Sequence, residues 1–169
     1  MNVATLYDKY LMKSEVDAIN YATYSFIGKQ QRGGMKYIEL FDYISLTYND
    51  FETNCIEPMQ GFTNKMLSIN YCTEGRIECT VAENKRVYLN AGQVLIALTD
   101  NHYVDFQVPF NMYKGITITI DYIQLTDAIK NVFALNHIQI DRLVNILQQR
   151  NYYLISGAQT VQHLFSDIL

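Results

Sequence analysis

Three histidines, three cysteines and no tryptophan occur in the 169 residues, and each scarcity removes a class of chemistry. His102, His137 and His163 stand far apart, two of them in a stretch that reads as helical. A barrel metal site needs three or four ligands converging from neighbouring strands, so no metal and no other cofactor is expected. Cys55, Cys72 and Cys79 form neither a Cys-x-x-Cys pair nor the even set of a secreted disulfide framework; reduced thiols of a cytosolic protein are the expectation. Basic residues are outnumbered, thirteen Lys and Arg against seventeen Asp and Glu, for a net charge of −4. That balance offers no field to a polyanion, and these residues alone are not expected to bind nucleic acid. A Gly-x-Ser-x-Gly elbow, a phosphate loop and a dinucleotide fingerprint are all missing. Asp8, Lys9, Lys13, Glu15 and Asp17 interrupt the start of the chain where a signal peptide needs an apolar run. No later segment is long enough to span a bilayer, so a cytoplasmic protein with no membrane partner is expected.

What the sequence has is apolar and phenolic. Hydrophobic residues make up 49%, with fourteen Tyr and eight Phe, enough for one domain with a sizeable core. The period of the pattern divides the chain into three zones. In residues 1–34, Val3, Leu6, Tyr10, Val16 and Ile19 recur at loosely helical spacing before the loop "GKQQRGG", which predicts a helical arm and a turn. In residues 35–121 the period becomes two. "KYIELFDYISLTY" reads as one long strand, and "KMLSINYC" sets Leu67, Ile69 and Tyr71 against Ser68, Asn70 and Cys72. Gly75 then marks a turn from which "RIECTV" returns; Gly92 marks another, and "YVDFQV" and "KGITITI" add further strands. Seven or eight short strands without helical crossovers predict an antiparallel sandwich or barrel. Residues 122–169 return to a helical period in "LTDAIKNVFAL", "IDRLVNILQQR" and "SGAQTVQHLFSDIL", the last with Ser156 as N-cap. No stop signal follows Leu169, so the natural polypeptide is expected to continue.

Chemistry in the strand zone centres on its phenols. Tyr43, Tyr71, Tyr88, Tyr103 and Tyr113 could line a small-molecule cavity with rings and a few hydroxyls. Of these, Tyr43, Tyr71 and Tyr113 together with His102 are the expected ligand-binding set. A nucleophilic Cys72–His102 pair is the weaker alternative, since a cysteine on a strand is usually a small buried hydrophobe.

The segments "LSINYCTEGRIECTV", "YLNAGQVLIALTDNHYVDFQVP" and "YKGITITID" resemble the N-terminal sensing domain of AraC-type transcriptional regulators. Gly75 matches that family's turn glycine, Gly92 the glycine of its Gly-Asp pair and His102 its histidine, while Tyr113 opens its aromatic strand. Gln93 replaces the usual acidic residue, and no proline precedes the histidine. The resemblance implies a mainly β, cupin-like antiparallel jelly-roll barrel followed by C-terminal α-helices that form a dimerisation segment. It also implies a small-molecule effector in the barrel, a homodimer, no enzymatic activity, and DNA binding only through a C-terminal domain absent from this chain. The apolar stripes of the helical zone place the dimer interface at Leu143, Ile146, Leu147, Val161, Leu164 and Phe165. Two other readings compete with this. A metal-free cupin enzyme, such as a sugar or keto-acid isomerase, would draw its acid and base from His102, Glu39, Glu74, Glu78 and Asp105. A carbohydrate-binding sandwich would be expected to carry exposed aromatics and calcium-binding carboxylates.

Overall fold

The computed structural model describes residues 11–18, 21–26, 32–53, 55–56, 65–80, 85–99, 106–157, 163 and 165. Along them run β1 (Leu11–Ala18), β2 (Tyr21–Phe26), β3 (Arg32–Phe41), β4 (Ile44–Glu52), β5 (Cys55–Ile56), β6 (Met66–Thr80), β7 (Arg86–Asn90), β8 (Gln93–Thr99), β9 (Phe106–Gln107) and β10 (Tyr113–Ile120). Helices α1 (Asp127–Leu135) and α2 (Ile140–Arg150) and a last strand, β11 (Tyr152–Ser156), follow. His163 and Phe165 are helical.

Every pairing between these strands is antiparallel. The main sheet runs in the order β1-β2-β3-β4-β10-β6-β8-β11. A smaller one runs β5-β9-β6-β7. Strand β6 belongs to both: residues 66–71 pair with β8, and residues 76–80 pair with β7. Counted as two strands, it gives a β4-β10-β6-β8 sheet and a β5-β9-β6-β7 sheet, the double Greek key of a jelly roll. The two share one core, in which Phe51, Cys72, Leu95 and Tyr113 of the main sheet meet Ile77, Cys79, Val87 and Leu89 of the smaller one.

Gly75 is where β6 changes sheets. Its φ is +76°, and a Cβ there would run into the Met112 carbonyl oxygen, so the bend takes glycine for both backbone and space. The hairpin expected at this glycine is therefore a bend inside one strand, and "RIECTV" continues rather than returns.

Three other expectations are corrected. The single strand expected over "KYIELFDYISLTY" is the β3–β4 hairpin, turned at Asp42 and Tyr43. Tyr43 takes the left-handed φ of 70°, and its carbonyl accepts from the Asp121 N–H at 2.9 Å. The helical arm expected over residues 1–34 contains β1, β2 and the start of β3; the aromatic and β-branched run Tyr21, Thr23, Tyr24 suits a strand, and pairing with β3 overrides the loose helical spacing. Residues 1–10 lie outside the described residues. In the C-terminal zone, Asn151 ends α2 with a φ of 69°, and "YYLIS" turns back as β11 against β8. Ser156 is thus a strand residue that accepts a hydrogen bond from Gln93 Nε2 at 2.7 Å, not a helix cap.

On the central strands β4, β10, β6 and β8 the outer face is buried along with the inner one. Ile44, Leu67 and Ile120 pack beneath Ile140, Val144 and Leu147 of α2, with Ile129 and Phe133 of α1 alongside. Leu46, Tyr71, Val94 and Ile116 pack around Phe165. The isoleucines of "KGITITI" thus face the helices, not the barrel interior. None of the described helices is long and apolar enough to cross a membrane.

Candidate functional site

With the apolar residues of the central strands turned outward, their alternate positions point into the barrel, and these are mostly polar. Ser45, Thr47 and Asn49 on β4, Thr117 and Thr119 on β10, and Ser68 and Asn70 on β6 share the face of Phe51, Tyr113 and Cys72. Thr119 stands in register between Ser45 and Ser68, and Thr117 between Thr47 and Asn70. A chain of hydrogen bonds crosses the three strands. Asn49 Nδ2 donates to Thr117 Oγ1 at 3.0 Å, Thr117 Oγ1 donates to Asn70 Oδ1 at 2.8 Å, and Asn70 Nδ2 donates to Ser68 Oγ at 2.8 Å. The Thr117 hydroxyl accepts and donates in turn, so it sets the direction of the whole chain.

Ser45 and Thr47 stand outside that chain. They are 2% and 1% exposed, and neither hydroxyl has a hydrogen-bond partner. An unpaired buried hydroxyl costs about 1–3 kcal/mol, and such groups in a native protein call for an explanation. Here two occur two residues apart on one face of one strand.

Toward its other end this face becomes apolar. The rings of Phe51 and Tyr113 lie 5.9 Å apart, with Cys72, Leu89 and Val108 fully buried nearby. Burial pushes the Tyr113 phenol well above its ordinary range. It also pushes the Cys72 and Cys79 thiols up to about 12. Cys72 is thus a protonated thiol with its Sγ 3.4 Å from the Glu74 carbonyl oxygen, not an activated nucleophile. On β3, β4, β6 and β10 this face carries no Lys, Arg or His, and Glu39, in register with Ser45 and half-buried, is the carboxylate beside it.

The tyrosines expected to share a cavity are separated. Tyr43 sits half-exposed in the β3–β4 turn. Tyr71 is buried on the outer face and stacks on Phe165, while Tyr113 points inward from β10. His102 and Tyr103 lie outside the described residues. Tyr88 is exposed and carries the Arg76 guanidinium 4.2 Å above its ring. Of the acid–base candidates, Glu74 and Glu78 form ion pairs with Lys114 and Arg76, and Asp105 lies outside the described residues. Among the expected interface residues, Leu143 and Leu147 pack against their own sheet, Ile146 is half-buried, and Phe165 covers Tyr71. Val161 and Leu164 lie outside the described residues. The polar row itself was visible in the sequence as Ser68/Asn70 and Thr117/Thr119, but polar alternate positions ordinarily mark a solvent face.

No family model and no curated protein matches the chain. Solved structures do. An RmlC-like cupin from Desulfovibrio desulfuricans is 13% identical over 64% of this chain and 96% of that one, with a TM-score of 0.42. The strand order itself is that of a jelly-roll barrel followed by C-terminal helices. Ectoine synthase from P. lautus is 13% identical over 84% of this chain and 85% of its own, with a TM-score of 0.43. ToxT from Vibrio cholerae is 7% identical over 75% of this chain, with a TM-score of 0.46; the chain spans 47% of ToxT. A 7S globulin from Momordica charantia is similar as well.

Proposed function

We propose that this chain is the effector-sensing and dimerising domain of an AraC-type transcription regulator, taking a small molecule inside its jelly roll in the cytoplasm. The observation that carries the reading is the buried polar face with the unpaired hydroxyls of Ser45 and Thr47. A purely structural barrel gains nothing from such groups, whereas a ligand that pairs with them recovers their desolvation cost. The sequence resemblance at Gly92 and Tyr113 supports the family, and helices laid on the outer face fit its layout.

The same geometry offers a route from ligand to partner domain. Tyr71 lies between Asn70 and Cys72 on β6, so one strand carries inner polar residues and the outer ring that holds Phe165. Strand β11, which leads toward Phe165, pairs with β8. Effector occupancy then alters DNA binding to the extent that it favours one arrangement of this segment over another. DNA contact belongs to a further domain, and catalysis is no part of the proposal.

Fusing residues 1–169 to a monomeric DNA-binding domain tests it. A reporter that needs two bound copies should respond to at least one member of a metabolite panel. A reporter that stays silent, or that is constant across the panel, overturns the reading.

A further inference from the structure

We infer that the barrel's ligand is an uncharged molecule presenting an oxygen acceptor, a ketone, amide or hydroxyl oxygen, to the Ser45 and Thr47 hydroxyls, with its hydrocarbon body on the apolar end of the face. This rests on the sensing role proposed above and names the chemistry of that site.

Ser45 and Thr47 are donors in search of an acceptor. None of Asn49, Thr117, Asn70 and Ser68 pairs with them, and the hydrogen bonds of those four run among themselves. That chain holds the neighbouring strands' polar atoms in place, so the two free hydroxyls face a fixed wall. A ligand oxygen placed between them gains two hydrogen bonds at a site already stripped of water. A site built this way discriminates strongly against an analogue lacking the oxygen, which leaves the hydroxyls unpaired.

Charge narrows the class further. On β2, β3, β4, β6, β8 and β10 no cation shares the inner face, and Glu39 stands in register with Ser45; a carboxylate or phosphate seated at Ser45 and Thr47 would lose its hydration without an adjacent counter-charge. Glu39 is half-buried at the margin of this face, where solvent screening weakens its pull on an ammonium group. The Phe51 and Tyr113 rings and Leu95 give the rest of the molecule an apolar seat.

Four probes of similar size separate these chemistries: cyclohexanone, methylcyclohexane, cyclohexanecarboxylate and cyclohexylamine. Titrated into the full chain with 13C-labelled threonine methyls, cyclohexanone should shift Thr47 and Thr119 saturably, and the two ions should not. The double variant Ser45→Ala, Thr47→Val should weaken cyclohexanone about tenfold, as expected for two hydrogen bonds, and leave methylcyclohexane unchanged. Thr47→Ser, which keeps the hydroxyl, should restore part of the affinity. The double variant should also melt higher than wild type without ligand, since it removes unpaired buried groups; a lower melting temperature overturns the inference. Equal binding of cyclohexanone and methylcyclohexane, or tighter binding of either ion, also overturns it while leaving a ligand-binding barrel in place. Failure of every probe to move an inner-face methyl overturns the sensing role as well.

Discussion

The ring of Phe165 stacks on the ring of Tyr71, with centroids 4.6 Å apart and planes inclined by 17°. The contact joins the C-terminal segment to a strand whose next residues on either side, Asn70 and Cys72, face the barrel interior. Phe165 is 9% exposed and packs with Leu46, Val94 and Ile116. Replacing it with alanine should cost roughly 3–5 kcal/mol, read by urea unfolding. In the reporter fusion Phe165→Ala should uncouple output from ligand while binding to the barrel persists. A variant that responds to ligand as wild type does shows that the segment signals by another contact.

Thr117 is the centre of the inner hydrogen-bond chain, and its substitution should act opposite to that of Thr47. Thr117→Val conserves shape but leaves the Asn49 donor and the Asn70 acceptor unpaired. The expected loss is about 1–3 kcal/mol for each buried group so stranded. Urea titration of Thr117→Val and Thr47→Val side by side measures the contrast, and destabilisation of both by equal amounts would mean that Thr47 has a partner after all.

Much of the fold could be read from the residues, and the failures have physical causes. The partition of Leu67, Ile69 and Tyr71 from Ser68, Asn70 and Cys72 follows from strand alternation and holds in the structure. Helix α2 spans the whole of "IDRLVNILQQR". Alternation cannot say which face looks inward, because helices bury the outer face of this sheet too. Isoleucine at 116, 118 and 120 marks the helix side, so the polar row falls inside the barrel, where a reading that equates apolar with interior does not look. The β3–β4 turn leaves no mark in the sequence because it contains no Gly or Pro: Tyr43 holds the left-handed conformation that glycine usually supplies.

The buried thiols predict a dependence on alkaline pH. Burial raises Cys72 and Cys79 from 9.0 to about 12, so the folded state retains protons that the unfolded chain releases. Stability from this source is complete below about pH 9 and declines as pH rises toward 12. Unfolding free energy should therefore fall between pH 8 and pH 10.5, and less so in Cys79→Val. Iodoacetamide at pH 8 should label these thiols only after unfolding. Prompt labelling of Cys72 in the native protein would show it accessible and ionised.

The helical zone separates what holds the chain together from what can hold two chains together. Leu147, on the buried face of α2, is 1% exposed and packed with Leu67, Ile120 and Val144, and it has no surface left for a partner. Leu147→Asp would bury an unpaired carboxylate and should unfold the domain rather than split a dimer. Helix α1 has no buried residue, and on it and just beyond, Val132, Leu135 and Ile138 are 56%, 81% and 46% exposed. If the proposed homodimer uses the helical zone, this is its apolar surface, and a twofold partner would cover it with the same residues. Leu135→Asp should then leave the melting temperature of a dilute sample near wild type but convert a dimer to a monomer in light scattering at tens of micromolar. A wild type that is monomeric at that concentration, or a Leu135→Asp chain that remains dimeric, removes α1 from the interface.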